Sequence, residues 1–476
     1  MIQLSDNISN YITKHFGNEY LQKYTEYFHG GYLPYLRISP FVDETLIIKR
    51  LKEYKIELER IENIDRAYRI TEGQNIAGKT LEFILGKYYI QSLSSMISAL
   101  VLNPSEKDIV LDLCAAPGSK TTQLAELMNN KGTLVANEIS LDRTKSLVFN
   151  IDKMNLVNVG IMNYNGELLS KIFNNYFDKV LVDAPCSALG ITQKRGEVSN
   201  WWNEKKATGL AEIQFKLLVS AIKSCRVGGE IVYSTCTLSP EENELVLNKI
   251  LKKYPVELVD IKLPVKSVNA FTKFGNEELN ETISKAKRIL PWEINSEGFF
   301  VSKLIKTGDV DPSEKYPRKE KKYEILSSKS GKMKNIIAEL SDFFGIPPGK
   351  FDEYKYIIKN EDIYFVDAAW DYENIDAFIR VGSKLGAVDK KKIFQLHTLA
   401  AQSFGAFAKY NIEEISERNE LQTYFEGRII KRNIEKPGQK IIKYKDYFLG
   451  TAGASKEGLK SQFPRAFRTQ EIILPS

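Results

Sequence analysis

Between residues 108 and 236, five short apolar, β-branched runs, "DIVLDLCA", "GTLVANE", "VNVGIMNY", "FDKVLVDAPC" and "GEIVYSTC", alternate with helix-like stretches such as "SKTTQLAELMNN" and "EIQFKLLVSAIKSC". Runs that are apolar at nearly every position suit strands covered on both faces, and an intervening helix returns the chain to start the next strand in the same direction. The pattern predicts an α/β fold built on a mostly parallel, doubly wound sheet. "GFFVSKLIK", residues 298–306, is expected to add a last strand at the edge of that sheet.

With 476 residues the chain exceeds one ordinary core. The boundaries expected are a first unit at 1–75, the sheet domain at 76–306, a charged, proline- and serine-bearing linker at 307–335 and a further region at 336–476. The start "MIQLSDNISNYITKHFGNEY" has no basic stretch leading into an apolar core, and no run approaches 18 apolar residues. A cytoplasmic protein with no membrane partner is expected. Cys114, Cys186, Cys225 and Cys236 form no CxxC pair and no histidine cluster accompanies them, so neither a metal site nor a disulfide framework is expected. His15, His29 and His397 all lie outside the alternating region. Chemistry there must run on Cys, Asp, Glu and Lys.

"LDLCAAPGSKTTQLAELM" is a strand that breaks at Pro117-Gly118 and opens directly into an amphipathic helix. A turn with little side-chain bulk lets the backbone approach a ligand, and the free amides of the helix start can bind it. The dinucleotide pattern GxGxxG is absent. Glu138, however, ends the next strand 20 residues after Gly118, where a carboxylate can accept hydrogen bonds from both ribose hydroxyls. Alone, Gly118 reads as a turn glycine and Glu138 as a helix-capping carboxylate; together, at this spacing, they favour a nucleoside cofactor.

Cys186 follows the fourth strand and Cys236 the fifth, and Asp183 stands three residues before Cys186. Ligands of open parallel sheets bind at the carboxyl ends of strands, where neighbours are about 5 Å apart. Both thiols can therefore reach one pocket. Cys186 is open to three readings: a nucleophile, a helper to another nucleophile, or a small buried side chain. Cys225, at a helix end without a motif, reads as core.

"DLCAAPGSKT", "DAPCSALG" and "YSTCTLSPEENE", in this order, resemble the motifs of the Sun-domain RNA cytosine-5 methyltransferases, the family of bacterial RsmB and RsmF, and the likeness spans about residues 35–306. It implies a Rossmann-like core dependent on S-adenosyl-L-methionine, flanked by N- and C-terminal RNA-binding domains. Cytosine C5 is a weak nucleophile; addition of a thiolate to C6 makes it enamine-like and able to take a sulfonium methyl. The resemblance assigns that attack to Cys236, product release to Cys186 and base activation to Asp183. It carries cofactor contacts onto Cys114, Ala115, Ala116, Pro117, Gly118, Ser119 and Lys120, onto Glu138 at the ribose, Asn165 near the adenine and Asp183 at the reacting end. Ser119 stands where the family usually has a second glycine. Lys120 is a candidate for stabilising a thiolate, with a solvent-facing helix-start lysine as the alternative.

From Arg428 to Arg468 eleven Lys/Arg face three acids, interleaved with Tyr444, Tyr447, Phe448, Phe463 and Phe467, a pattern that suits phosphates and stacked bases. "YFLGTAGASKEGLKSQFPRAFR" is similar to the close of the RsmF branch, which implies a PUA-like module within 336–476 and favours ribosomal over transfer RNA. Arg37, in "LRIS", falls in what resembles the family's N-terminal RNA-binding subdomain. Trp201 and Trp202 suit either base stacking or a hydrophobic lid. A monomer is expected. Two rivals remain: a DNA cytosine-5 methyltransferase, disfavoured by the TC motif, and a non-catalytic RNA-binding assembly factor, disfavoured by the presence of both cysteines, Asp183 and Glu138.

Overall fold

The computed structural model describes residues 4–312, 323–389, 393–468 and 471–474. Its central sheet is built on β1 (Ile109–Asp112), β2 (Thr133–Asn137), β3 (Val159–Met162), β4 (Phe177–Asp183) and β5 (Cys225–Thr235), all parallel and in spatial order β3-β2-β1-β4-β5. The order reverses beside β1, so the crevice for a ligand opens at the carboxyl ends of β1 and β4. Helices α1 (Ser119–Leu127), α2 (Leu141–Lys153) and α3 (Glu204–Ser224) make crossovers between the parallel strands. The strands are buried on both faces, with Leu111, Val135, Val180 and Ile231 in one core and Val110, Leu134, Leu181 and Val232 in the other. The Rossmann-like α/β architecture expected of the sequence is present.

The strand expected at the edge is not at the edge. β6 (Phe299–Lys306) runs antiparallel to β5 and is itself covered on its far side by Val256–Val259 and Lys287–Ile289. Its nearly continuous burial, with Phe299, Phe300, Val301 and Leu304 all in the core, is what an interior strand requires.

A four-stranded antiparallel sheet, in the order Glu57–Arg60, Ala67–Glu72, Tyr35–Ile38, Tyr88–Ile90, precedes the core and takes its last strand from beyond residue 75. The first two helices, Asp6–Phe16 and Asn18–His29, pack instead on the loops that follow β4 and β5: Tyr24 donates to the Leu189 carbonyl at 2.7 Å, and Ile8, Tyr11 and Ile12 share a core with Leu189, Trp202 and Leu238. The linker expected at 307–335 lies partly outside the described residues, and its later part is structured. Ile325–Ser327 is an edge strand and a helix starts at Gly331.

Beyond it stand two five-stranded sheets, one spanning residues 325–396 and one spanning 412–461. Between strands of the first, Arg380–Val381 crosses to the central sheet and pairs antiparallel with β3. Arg380 forks onto the Asp152 carboxylate of α2 at 2.6 and 2.9 Å, and Gly160 lies under Trp370 and Phe378, where a Cβ would come within 2.4 Å of the indole. Among the described residues no helix is long and apolar enough to cross a membrane.

Burial decides the place of three sets of residues in the regions expected to meet RNA, and it corrects the reading of the aromatics in the basic segment as stacking platforms. Arg37 is 5 % exposed; its guanidinium pairs with Glu126 at 2.7 Å and donates to Gln91 and to Thr122, so it ties the N-terminal sheet to α1. Tyr444 and Tyr447, on paired strands, and Phe463, just after the last strand, are core residues packed with Leu421, Tyr424 and Leu449, and Phe467 stacks on Phe149. Of the cations there, Lys440 is buried against Asn411 and Arg432 pairs with Glu413 and Glu420, whereas Lys431, Lys436, Lys445, Lys456 and Lys460 face solvent. Trp202 is buried and donates its indole N–H to Ser187 Oγ at 2.9 Å, which removes it as a stacking platform; Trp201 is half-buried beneath the Lys206 ammonium.

Candidate active site

At the end of β1 the chain turns through Cys114–Gly118 and enters α1. Gly118 holds φ 110°, a left-handed value natural to glycine, and a Cβ there would press on Leu147 of α2 at 3.2 Å. The turn is pinned from several sides: Ala115 N donates to the Asn137 carbonyl at 2.8 Å, the Ala116 carbonyl accepts from Arg143, and the Pro117 carbonyl accepts from Asn150 at 2.9 Å. Ser119 begins the helix, and its carbonyl accepts from Thr122. Asn137, buried at the end of β2, bonds the Leu113 and Tyr164 carbonyls and the Tyr164 amide, which fixes the turn to the loop after β3.

Glu138 is 3 % exposed; one oxygen accepts from Ser140 N at 2.9 Å and the other lies 3.5 Å from Arg143. Asp112, at the end of β1, accepts from Thr121 Oγ1 at 2.7 Å, and burial pushes its carboxyl up to about 7. Burial, and then the charges of Asp112, Asp183 and Glu138, push the Cys114 thiol well above the ordinary thiol range. Three carboxyl groups therefore converge around Cys114. That donor set, beside a glycine turn whose space a Cβ would narrow, fits a cofactor that carries a positive charge and a ribose diol. Asn165, in the loop after β3, uses its side-chain oxygen to cap Glu167 N at 3.0 Å, a local bond, and among the described residues its amide nitrogen has no partner.

Asp183 closes β4 in register with Ser234 of β5. Its oxygens accept from Ser234 Oγ at 2.9 Å and pair with Lys120 Nζ at 2.7 Å. Lys120 is thus turned inward and not to solvent: it also donates to Ser95 at 3.0 Å and lies over the Phe299 ring. Burial pushes the Lys120 ammonium down, but the pair with Asp183, together with an attraction to Cys236, more than offsets this and holds it above the ordinary lysine range.

The Sγ atoms of Cys186 and Cys236 are 2.9 Å apart, and both residues are half-buried. The hydrogen bond to Cys236, then burial, then the nearby charges of Cys236 and Glu242 push the Cys186 thiol well above its ordinary range. Either sulfur can donate in this contact. Cys225 is buried in the core, away from this pair.

Residues the motif reading passed over hold these loops. Behind the thiols, Ser187 and Thr237 meet at 3.0 Å, and buried Glu242 accepts from the Ser187 amide at 2.8 Å and from its hydroxyl. Gln214 of α3 donates to both Glu242 and the Pro185 carbonyl at 2.9 Å. Arg288 donates twice to the Leu238 carbonyl and pairs with Glu244 at 3.2 Å, both fully buried. The signal for the two glutamates was the acid-rich "SPEENE", a few residues after the end of β5 and just before the apolar helix "ELVLNKIL". His15, Glu204 and Glu241 lie close enough to share an ion, but Tyr11 donates to Glu241 and Lys14 pairs with Glu204.

Residues 99–305 match the family model described as 16S rRNA methyltransferase RsmB/F. The chain is 32 % identical over 403 residues to a ribosomal RNA small subunit methyltransferase F of Shewanella piezotolerans, covering 82 % of this chain and 80 % of the relative. It is 33 % identical over 286 residues to a tRNA (cytosine(49)-C(5))-methyltransferase of Pyrococcus abyssi, covering 60 % of this chain and 92 % of the relative. A solved structure of a methyltransferase homologue from Pyrococcus horikoshii superposes with a TM-score of 0.56 at 29 % identity, over 62 % of this chain and 93 % of that one.

Proposed function

The chain belongs to the 16S rRNA methyltransferase RsmB/F family, and from that premise we propose that it methylates cytosine C5 of ribosomal RNA through a covalent adduct on Cys236. The observation that carries the reading is the pair of cysteines at the ends of neighbouring strands, with their sulfurs 2.9 Å apart. A single buried cysteine could be structural; two converging beside the Asp183–Lys120 pair match a reaction that needs a sulfur to arrive and to leave.

S-adenosyl-L-methionine, the cofactor of the family, supplies an electrophilic methyl on a sulfonium. The turn Cys114–Lys120 and Glu138 would hold it, with Asp183 at the reacting end. Cys236 would add its sulfur to C6 and move the C5=C6 pair towards C5, making C5 able to take a methyl whose S–CH3 pair would stay on the cofactor sulfur. Asp183 and Lys120 face the base edge: the carboxylate accepts from the exocyclic amine, and the ammonium, with two of its three protons committed to Asp183 and Ser95, retains one to donate. A water molecule acting as base then takes the C5 proton, the C5–H pair restores the C5=C6 bond, and the S–C6 pair returns to Cys236. Cys186 offers its S–H to the departing sulfur, which is a role in release and not in attack.

A cytosine in a duplex cannot present C6 to Cys236, so the base must come from a loop or be flipped out. Ribosomal over transfer RNA is supported by the extent of likeness: the ribosomal enzyme shares 82 % of this chain, the tRNA enzyme 60 %. The protein acts in the cytoplasm as a monomer. In the test, total RNA is incubated with labelled methyl donor and the modified position mapped. Cys236→Ala abolishes both transfer and trapping on 5-fluorocytidine RNA, and Cys186→Ala leaves a persistent protein–RNA adduct. An adduct that needs Cys186 and survives loss of Cys236 reverses the roles.

A further inference from the structure

We propose that Glu242 is a positioning residue that clamps the Cys186 loop to the Cys236 loop and so sets the thiol-to-thiol contact on which product release depends. This rests on the division of roles proposed above.

The two cysteines sit on separate crossovers and no covalent link joins their loops. Their backbones meet where Gly190 N donates to the Cys236 carbonyl at 2.9 Å, and next to Cys186 they are joined by side chains one layer behind the sulfurs. Each cysteine is followed directly by a hydroxyl residue, Ser187 and Thr237, and these two hydroxyls touch at 3.0 Å. Glu242, 0 % exposed, accepts from the Ser187 amide and hydroxyl, while its own backbone carbonyl accepts from the Tyr233 hydroxyl. Gln214 then braces the assembly from α3 by bonding Glu242 and the Pro185 carbonyl, one residue before Cys186, and Trp202 closes it by donating to Ser187 Oγ. Ser187, Thr237, Glu242, Gln214 and Trp202 are all buried.

Two acceptor oxygens suit the Ser187 amide, the Ser187 hydroxyl and Gln214, which all donate to the Glu242 side chain, and burial pushes its carboxyl up to about 7. The asymmetry of the clamp matters. Cys236 follows β5, whose last residues are fixed by ladder bonds to β4 and β6, so its sulfur has a support independent of Glu242. Cys186 lies on a loop whose amide and neighbouring carbonyl are held by Glu242 and Gln214. Loosening Glu242 should therefore let Cys186 drift from Cys236 while leaving the attacking sulfur in place. When ionised, Glu242 also favours the thiol form of Cys186, the form that can donate.

The test separates adduct formation from adduct resolution in full-length protein. Glu242→Gln, Glu242→Asp and Cys186→Ala are compared with wild type for trapping on 5-fluorocytidine RNA and for the lifetime of the adduct on unmodified RNA, with thermal melting as the check on folding. Glu242→Gln is expected to trap within about threefold of wild type but to clear its adduct at least tenfold more slowly, and Glu242→Asp to recover part of that rate. If Cys186→Ala stalls while a folded Glu242→Gln clears at the wild-type rate, the clamp is refuted and the roles of the cysteines stand. If Cys186→Ala itself clears normally, the roles fail, whatever Glu242→Gln does. Should Glu242→Gln melt early, Gln214→Leu, which removes only the brace, is read in its place, and equal loss of formation and resolution in it also refutes the clamp.

Discussion

Lys120 and Asp183 form the contact on which both the cofactor edge and the base edge of the site turn, and its strength can be measured. At 2.7 Å and an effective dielectric of about 20, the Coulomb attraction is about 6 kcal/mol. Asp183 keeps 26 % of its side chain in contact with water and Lys120 keeps 11 %, so screening and the cost of removing both charges from water reduce the net coupling to ~2–3 kcal/mol. Lys120→Met, Asp183→Asn and the double variant close a cycle that isolates this term, read from urea midpoints of the full chain. The single variants each strand a partner; the double variant should be more stable than the sum of the two losses predicts. Activity behaves otherwise, because the ammonium also lies in the field of Cys236. Trapping on 5-fluorocytidine RNA should fall about 100-fold in Lys120→Met, the rate equivalent of about 2.7 kcal/mol, and the double variant should not regain it. A coupling below about 0.5 kcal/mol, the scale of an exposed pair, or unimpaired trapping in Lys120→Met, would refute the reasoning.

Two further outcomes follow from buried charges. Arg37→Met should cost about 3–5 kcal/mol by leaving Glu126 unpaired in the interior, yet leave the salt dependence of RNA binding unchanged, since Arg37 reaches no phosphate; a slope reduced by about one would show otherwise. Asp112 has its carboxyl raised by burial to about 7 in the fold against 3.8 in an unfolded chain, so the folded state binds that proton more tightly. Its contribution to stability is complete below pH 4 and is lost as pH rises to 7, by about 4 kcal/mol. Asp112→Asn should therefore gain on wild type between pH 4 and pH 8, and a difference between the two that does not change with pH in urea unfolding counts against this.

Local pattern carried much of the sheet and the site into view. Strands buried on both faces leave continuous apolar runs, and a turn glycine followed 20 residues later by a strand-end acid is a spacing visible without coordinates. Arg37 and Tyr447 show where such reading stops. A cation in a strand and an aromatic among lysines have the same one-dimensional appearance whether they meet RNA or a partner 89 or 365 residues away, as Arg37 meets Glu126 and Tyr447 meets Glu82. β6 was misjudged for the same reason: its neighbours Val256–Val259 and Lys287–Ile289 are too short to announce themselves as strands. Glu242 was in plain sight in "SPEENE", but only the fold puts it behind Ser187 and gives its carboxylate a purpose.

The pairing of Arg380–Val381 with β3 bears on how the protein can be handled. Ile379 N and Gly382 N bond the Ile161 and Val159 carbonyls at 2.9 Å, so the far end of the chain finishes a strand that would otherwise present unpaired amides and carbonyls along its whole length. Cutting the chain after residue 306 would uncover that edge together with the bare backbone of Gly160, now covered by Trp370 and Phe378. Such an edge is a template for other chains. A fragment trimmed to the parallel sheet and its helices should retain the pocket residues but come out of cells as aggregate, which makes the distal region a solubility element of the catalytic module whatever else it binds.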